Sequence, residues 1–418
     1  ELKLEKLSEA SFYYKIWTKD DSTGEQVVLA QNKEKLSKDC LTLECNIPNE
    51  VWYFDIEPSA GWITISYWFS VILTILVLSM LIAAIFYQVL SKNNQEKQYA
   101  EQLLYKPEYA ADKQPDVKEK AAAFAEGYKN FLDHAKTERE AAATSEQMLL
   151  AAGYKPFEPK KTYAPGEKIY FIQEHKAVVA ATIGQKPFEE GFRLVIAHID
   201  SPRLDLRPNP LYEANHLSYF KTHYYGGIRK YQWVTIPLEL RGVVALKDGS
   251  MVSVSVGGHP GDPQFTIDDL LPHLGADQNK KPLGEAILGE SLNILVGSRP
   301  LKGDDGAGRV KLAVLKLLHE RYGITEADFI SAEIEAVPAF HATDIGFDRS
   351  LIGAYGHDDR VCGYAGLKAL LDLNGTPCRT AVCVLADKEE IGSEGVSGMQ
   401  SAFFDTFVGD LCDSQNVP

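Results

Sequence analysis

Cysteine is scarce, with six residues in a chain of 418, and no two of them form a Cys-x-x-Cys pair. A disulfide framework and a thiolate zinc finger are both excluded. Basic charge is also short. Forty-three lysines and arginines stand against 58 acids, a net charge of −15. A chain of that sign offers no broad phosphate-binding face, which argues against nucleic acid as a partner. Several motifs that carry their own chemistry are missing. The sequence has no Gly-x-Ser-x-Gly elbow, no Walker A loop and no His-Glu-x-x-His helix. His319-Glu320 starts the last of these, but Gly323 stands where its second histidine belongs. No repeats or low-complexity tracts are evident.

One long stretch lacks charge of either sign. Residues 62–90, from Trp62 to Leu90, contain no Asp, Glu, Lys or Arg, and about 20 apolar residues suffice to cross a bilayer. Trp62, Tyr67, Trp68 and Tyr87 lie near its ends, where interfacial aromatics belong. Asp55 and Glu57 precede it; Lys92 and Lys97 follow. The basic flank faces the cytoplasm by the positive-inside rule. The expectation is a single-pass membrane protein with residues 1–61 outside and the larger C-terminal portion in the cytoplasm. Cys40 and Cys45 then lie outside and can pair, whereas Cys362, Cys378, Cys383 and Cys412 read as reduced core thiols in apolar or helical contexts. A cytoplasmic location follows instead if the N-terminal segment is a mis-joined fusion.

What is present is a set of apolar runs that end in ligand-type residues. Leu194-Val195-Ile196-Ala197 runs into His198, with Asp200 two positions on and Pro202 closing the stretch. An unbroken apolar run of that length reads as a strand covered on both faces. Its C-terminal end is where open α/β sheets place ligands. Asp200 can hold one imidazole nitrogen while the other binds a metal. His-x-Asp is common by itself, and a plain loop pair is the bland alternative. Two further stretches add weight. Gly356-His357-Asp358-Asp359-Arg360 is one; the apolar run Ala381 to Ala386, ending in Asp387-Lys388-Glu389-Glu390-Ile391-Gly392, is the other. Adjacent carboxylates repel unless a cation lies between them. Together these clusters supply nitrogen and oxygen donors suited to zinc or another divalent first-row metal.

From about residue 98 to 418 the chain resembles the M18 metalloaminopeptidases, the aspartyl aminopeptidase family. The resemblance rests on His198-Ile199-Asp200-Ser201-Pro202, His357-Asp358-Asp359-Arg360 and Glu389-Glu390-Ile391-Gly392. Tyr224-Tyr225-Gly226-Gly227-Ile228 and Leu271-Pro272-His273-Leu274 match more loosely. It implies an α/β fold, in which a three-layer zinc-exopeptidase-like catalytic domain is interrupted by a β-rich dimerisation domain. It further implies two zinc ions per complete site, a peptide substrate and a homo-oligomer. Carried over position by position, His198, Asp358 and Glu390 become the metal ligands, with Asp358 bridging. Glu389 becomes the general base, Asp200 the partner of His198, and His273 a substrate-binding residue that serves a neighbouring subunit. The family's remaining ligands, an Asp and a His, have no match here, since no histidine follows His357. The expectation is therefore a C-terminally truncated and catalytically incomplete module. A membrane-tethered sensor or binding protein with an inactive peptidase-like domain is the competing reading. The stretch from Pro48 to Trp62 weakly resembles the tail of a CHASE-type extracytoplasmic sensor domain, a fragment only, with a purely structural β-remnant as the alternative.

The expected order is a β-rich segment (1–61), a transmembrane helix (62–90), a linker (91–115) and the first catalytic part (116–204). The inserted domain (205–350) and the second catalytic part (351–418) follow. Expected elements include helices over 116–135 and from a Thr137/Glu140 capping box to Gly153. Strands are expected at 12–17, 50–56, 169–172, 177–183, 234–240, 251–256 and 329–336, and helices at 307–322, 361–373 and 396–407.

Overall fold

A computed structural model describes residues 9, 11–48, 50–61, 65–104, 113–114, 116–303, 306–415 and 417. It divides into two compact units, residues 1–109 and 110–418.

In the first unit, β1 (Phe12–Lys19), β2 (Gln26–Gln31), β3 (Leu41–Ile47) and β4 (Glu50–Pro58) form an antiparallel sheet in the order β2-β1-β4-β3. Tyr14 and Ile16, two apart on β1, turn to one side and are buried. On the intervening positions Trp17 stacks on Tyr53, ring centroids 4.2 Å apart, and its indole donates to Asp55 at 2.7 Å. Helix α1 (Ile65–Leu103) follows. By length and composition it can cross a membrane, and its apolar side chains from Tyr67 to Leu90 are exposed. The expected linker is helical over its first part, because residues 91–103 continue α1. That stretch holds Lys, Gln, Glu, Ala and Leu and no Gly or Pro, and adding such residues to an existing helix is cheap. Residues 62–64 of the expected span, and 105–112 and 115 of the linker, lie outside the described residues.

The second unit opens with α2 (Val117–His134) and α3 (Glu138–Ala151). Thr137 caps α3 by accepting from the Glu140 amide at 3.1 Å, while the Glu140 carboxylate reaches back to the Lys136 amide at 3.1 Å. A five-stranded sheet is built from β5 (Lys155–Pro156), β6 (Lys168–Gln173), β7 (Ala177–Thr182), β8 (Arg193–His198) and a last strand described below. A second, six-stranded antiparallel sheet uses β9 (Arg203–Ala214), β10 (Leu217–Tyr225), β11 (Leu238–Ala245), β12 (Met251–Val256), β13 (Ile294–Gly297) and β14 (Ala332–Pro338) in the order β12-β11-β14-β9-β10-β13. Helix α4 (Arg309–Tyr322) packs Val314 into its core beside Phe220 and Leu240. The hairpin of β15 (Thr343–Ile345) and β16 (Leu351–Gly353) leads into α5 (His357–Leu371), β17 (Ala381–Ala386) and α6 (Phe403–Ser414).

The first sheet runs β5-β6-β7-β17-β8, with β17 parallel to β8 and antiparallel to β7. Alternation builds two cores. Val178, Ala180, Cys383 and Leu385 face α2, α3 and α5. Val179, Ala181, Val382 and Val384 face Phe403, Phe407 and Leu411 of α6. Helix, sheet and helix thus form three layers, and the six-stranded sheet lies in sequence between β8 and β17.

Several expectations need correction. Strand β8 is not covered on both faces. It is the edge strand, with Leu194, Val195 and Ile196 exposed by 38, 48 and 47%. The 234–240 strand begins only at Leu238, since Pro237 has no amide to give a ladder. Phe329 belongs to a 3₁₀ turn capped by the reciprocal Thr325–Asp328 pair, and strand begins at Ala332. Residues 396–402 are loop, rich in Gly and Ser, so the last helix starts at Phe403. All six cysteines are free thiols; only Cys383 is buried, while Cys45, Cys362 and Cys378 are exposed.

Candidate metal centre

Three chain segments meet at the C-terminal end of the parallel pair β8–β17. Register pairs His198 with Ala386 at the last rung, so the acids after Ala386 emerge beside the imidazole. Lys388 adopts a left-handed conformation (φ +70°), which turns Glu389 and Glu390 back into a short 3₁₀ turn. The first turn of α5 supplies the third segment.

His198, Asp359 and Glu390 form one group whose donor atoms all lie within 4.8 Å of one another. Asp359 is buried and the other two are half-buried. The expected ligand Asp358 is not in this group and is exposed. The reason is helical phase. Asp359 shares a row with buried Gly363 and Leu367, at i+4 and i+8, which face the sheet. Asp358 shares its row with the exposed Cys362.

Asp200 is fully buried and touches every part of the site except α5. Its Oδ1 lies 3.3 Å from His198 Nδ1 and accepts from the Glu389 amide at 3.2 Å. Its Oδ2 accepts from the Tyr225 hydroxyl at 2.7 Å and the Glu390 amide at 3.1 Å. Burial pushes the Asp200 carboxyl up, but the bonds from His198, Tyr225 and Glu390 outweigh it, and the net shift is downward. The same contact with Asp200 raises His198 to about 9, against the opposing effect of burial. Glu390 moves up, first through burial, with Asp359 and Asp200 adding repulsion. Four carboxylates around one imidazole are a donor set with surplus negative charge, and a divalent cation relieves it. Nitrogen plus two carboxylates fits zinc, with a fourth position left for water or substrate.

Glu389 is exposed, its Oε2 3.8 Å from His198 Nε2. His273 sits on an exposed turn between β12 and β13 and is not part of the group. Reasoning from sequence missed two contributors. Tyr225 is one; its stretch enters the sequence reading only as a loose family match, with no role assigned to the tyrosine. Asp359 is the other; the helical row Asp359, Gly363, Leu367 was the signal that could have found it.

Comparison with known proteins places this geometry. Residues 131–417 match the family model described as aminopeptidase I zinc metalloprotease (M18). A probable M18 family aminopeptidase 1 from Borrelia garinii subsp. bavariensis is 48% identical over 289 residues, covering 69% of this chain and 63% of the relative. One from Thermotoga maritima is 46% identical over 287 residues, covering 69% and 62%. The crystal structure of an M18-family aminopeptidase from Thermotoga maritima superposes with a TM-score of 0.67 at 43% identity, covering 72% of this chain and 66% of that one. The chain thus spans a little under two thirds of the length of these curated relatives. With the family model matching most of the second unit, and relatives close to half identical across it, the chain belongs to the M18 family.

Proposed function

We propose that this chain is a zinc-dependent aminopeptidase that removes N-terminal residues from peptides. The observation that carries the reading is the convergence of His198, Asp359 and Glu390 donors within 4.8 Å at the end of a parallel strand pair. Relatives named as M18 aminopeptidases support it. When bound there, zinc supplies Lewis acidity toward a peptide carbonyl and lowers the pKa of water. The protein's own residues do the rest. Asp200 holds the His198 ring by Nδ1, leaving Nε2 for the metal. Glu389, exposed and beside His198 Nε2, takes a proton from water at its carboxylate and returns it to the leaving amine.

Asp359 and Asp358 test the ligand set against each other. Asp359→Asn is expected to weaken zinc binding by at least tenfold, and Asp358→Asn to leave it unchanged. Competition with a chromophoric chelator measures both. Equal losses would bring Asp358 into the ligand set, and a loss confined to Asp358→Asn would remove Asp359 from it.

Membrane attachment through α1, with the second unit cytoplasmic, is part of the same proposal. The apolar, exposed stretch of α1 supports it, as do Asp55 and Glu57 before it and Lys92 and Lys97 after it. The chain should fractionate with membranes and resist extraction by high salt; recovery in the salt wash contradicts the tether.

Homo-oligomeric assembly is supported by Leu270, Leu271, Leu274 and Leu283, each at least 57% exposed around His273. If His273 serves a neighbouring subunit, mixing His273→Ala with Glu389→Ala subunits in a complete enzyme restores part of the activity each has lost. No recovery in verified mixed oligomers excludes that role.

A further inference from the structure

We infer that the Tyr225-Gly226-Gly227 turn, at the end of β10, is the positioning element of the metal centre; this rests on reading His198, Asp359 and Glu390 as ligands. The turn belongs to the six-stranded sheet, yet it reaches two sides of the site. Tyr225 is buried, and its hydroxyl donates to Asp200 Oδ2 at 2.7 Å. Asp200 Oδ1 in turn faces His198 Nδ1 at 3.3 Å. The phenol therefore fixes the carboxylate, which orients the imidazole together with the Asp200 main-chain carbonyl, 3.1 Å from the same Nδ1. Two residues on, the Gly227 amide points at Glu390 Oε2 from 3.4 Å.

Gly226 is required for that approach. Its φ of +70° is a conformation that side chains rarely adopt. A Cβ there would lie 2.7 Å from Glu390 Oε2 and 3.1 Å from Glu390 Cβ. An added methyl group would push the ligand carboxylate out of place.

The turn is itself held in place. The Arg203 guanidinium lies over the Tyr225 ring, 3.8 Å from its centroid. Arg203 is pinned by Glu138 at 3.2 Å, Asp205 at 2.9 Å and Glu335 at 3.2 Å. Tyr225 is thus wedged between a fixed cation and a fixed carboxylate, and its oxygen has one strong acceptor. Tyr225 and Gly226 act as positioning residues: they touch the groups that hold the metal, not the reacting atoms.

Zinc affinity of the full chain, measured by chelator competition, tests this without recourse to activity. Tyr225→Phe removes one oxygen and is expected to weaken zinc binding about tenfold. Gly226→Ala is expected to weaken it at least as much. In an Asp200→Ala background Tyr225→Phe should cost nothing further, and in a Glu390→Gln background Gly226→Ala should cost nothing further, because each acts through that partner. A purely structural role predicts the same loss in both backgrounds. Unchanged affinity in both single variants, or fully additive losses, overturns the inference while the ligand set stands. Zinc binding that is the same in the unmodified chain and in Glu390→Gln overturns the ligand set, and the inference with it. Circular dichroism melts of the zinc-free variants identify any that fail to fold; the remaining variant then carries the test.

Discussion

In a protein that carries the family's full ligand set, Glu389→Gln is expected to cut hydrolysis of aminoacyl substrates by 100-fold or more and to leave zinc bound. Glu389 is exposed, its Oε2 near His198 Nε2, and it lies outside the group of donors that converge. The amide keeps the shape of the carboxylate and loses its basicity, and removal of a general base costs roughly 10²–10⁴ in rate. Loss of a ligand gives a different pattern, in which rate and metal content fall together. Steady-state rates alongside elemental analysis separate the two. A Glu389→Gln protein that has lost its zinc would make Glu389 a ligand and contradict the division of labour between the two glutamates.

Glu138→Ala is expected to destabilise the second unit by about 3–5 kcal/mol, the scale of breaking a buried ion pair from one side. Glu138 is fully buried at the start of α3, 3.2 Å from both Arg203 and Lys176. Removing it leaves two buried cations short of charge and loosens Arg203 under Tyr225. Burial alone would push the Glu138 carboxyl up, but the two cations outweigh it and hold it at about 2. Its folded value lies below its ordinary value of 4.5. The stability it contributes is therefore complete above pH 4.5 and is lost as pH falls toward 2. Glu335 shares Arg203 but behaves oppositely. Burial and the repulsion of Glu138 raise it well above the ordinary value, so its charge is held less firmly than that of Glu138. Glu335→Gln should then cost less stability than Glu138→Ala. Denaturant melts of both variants at pH 7 and pH 4 test this. Equal costs for the two would mean that the charge is not distributed this way.

Much of the site was legible in the sequence because strand ends announce themselves. The apolar runs before His198 and before Glu389-Glu390 both turned out to be strands of one sheet, and their last rungs are adjacent. The layer order was legible for a similar reason: Ala177 to Thr182 and Val382 to Ala386 are buried throughout and divide their residues between two helical layers. Choosing between Asp358 and Asp359 needed the rotational phase of α5, which neighbouring acids do not disclose by themselves. The edge position of β8 was not legible either, since an apolar run looks the same whether or not a neighbour covers it. Tyr225 was hidden because its partner Asp200 is 25 residues away and meets it only through sheet pairing of β9 with β10. The end of α1 is not legible at Leu90, because the polar residues that follow have helix propensity enough to continue it to Leu103.

The central claim is that His198, Asp359 and Glu390 share one zinc ion. A crystal of the chain grown with zinc, with anomalous data on either side of the zinc absorption edge, tests it most directly. The account predicts an anomalous peak about 2 Å from His198 Nε2 and from a carboxylate oxygen each of Asp359 and Glu390, with Asp358 uncoordinated. A zinc peak liganded by Asp358, or located away from His198, would contradict it.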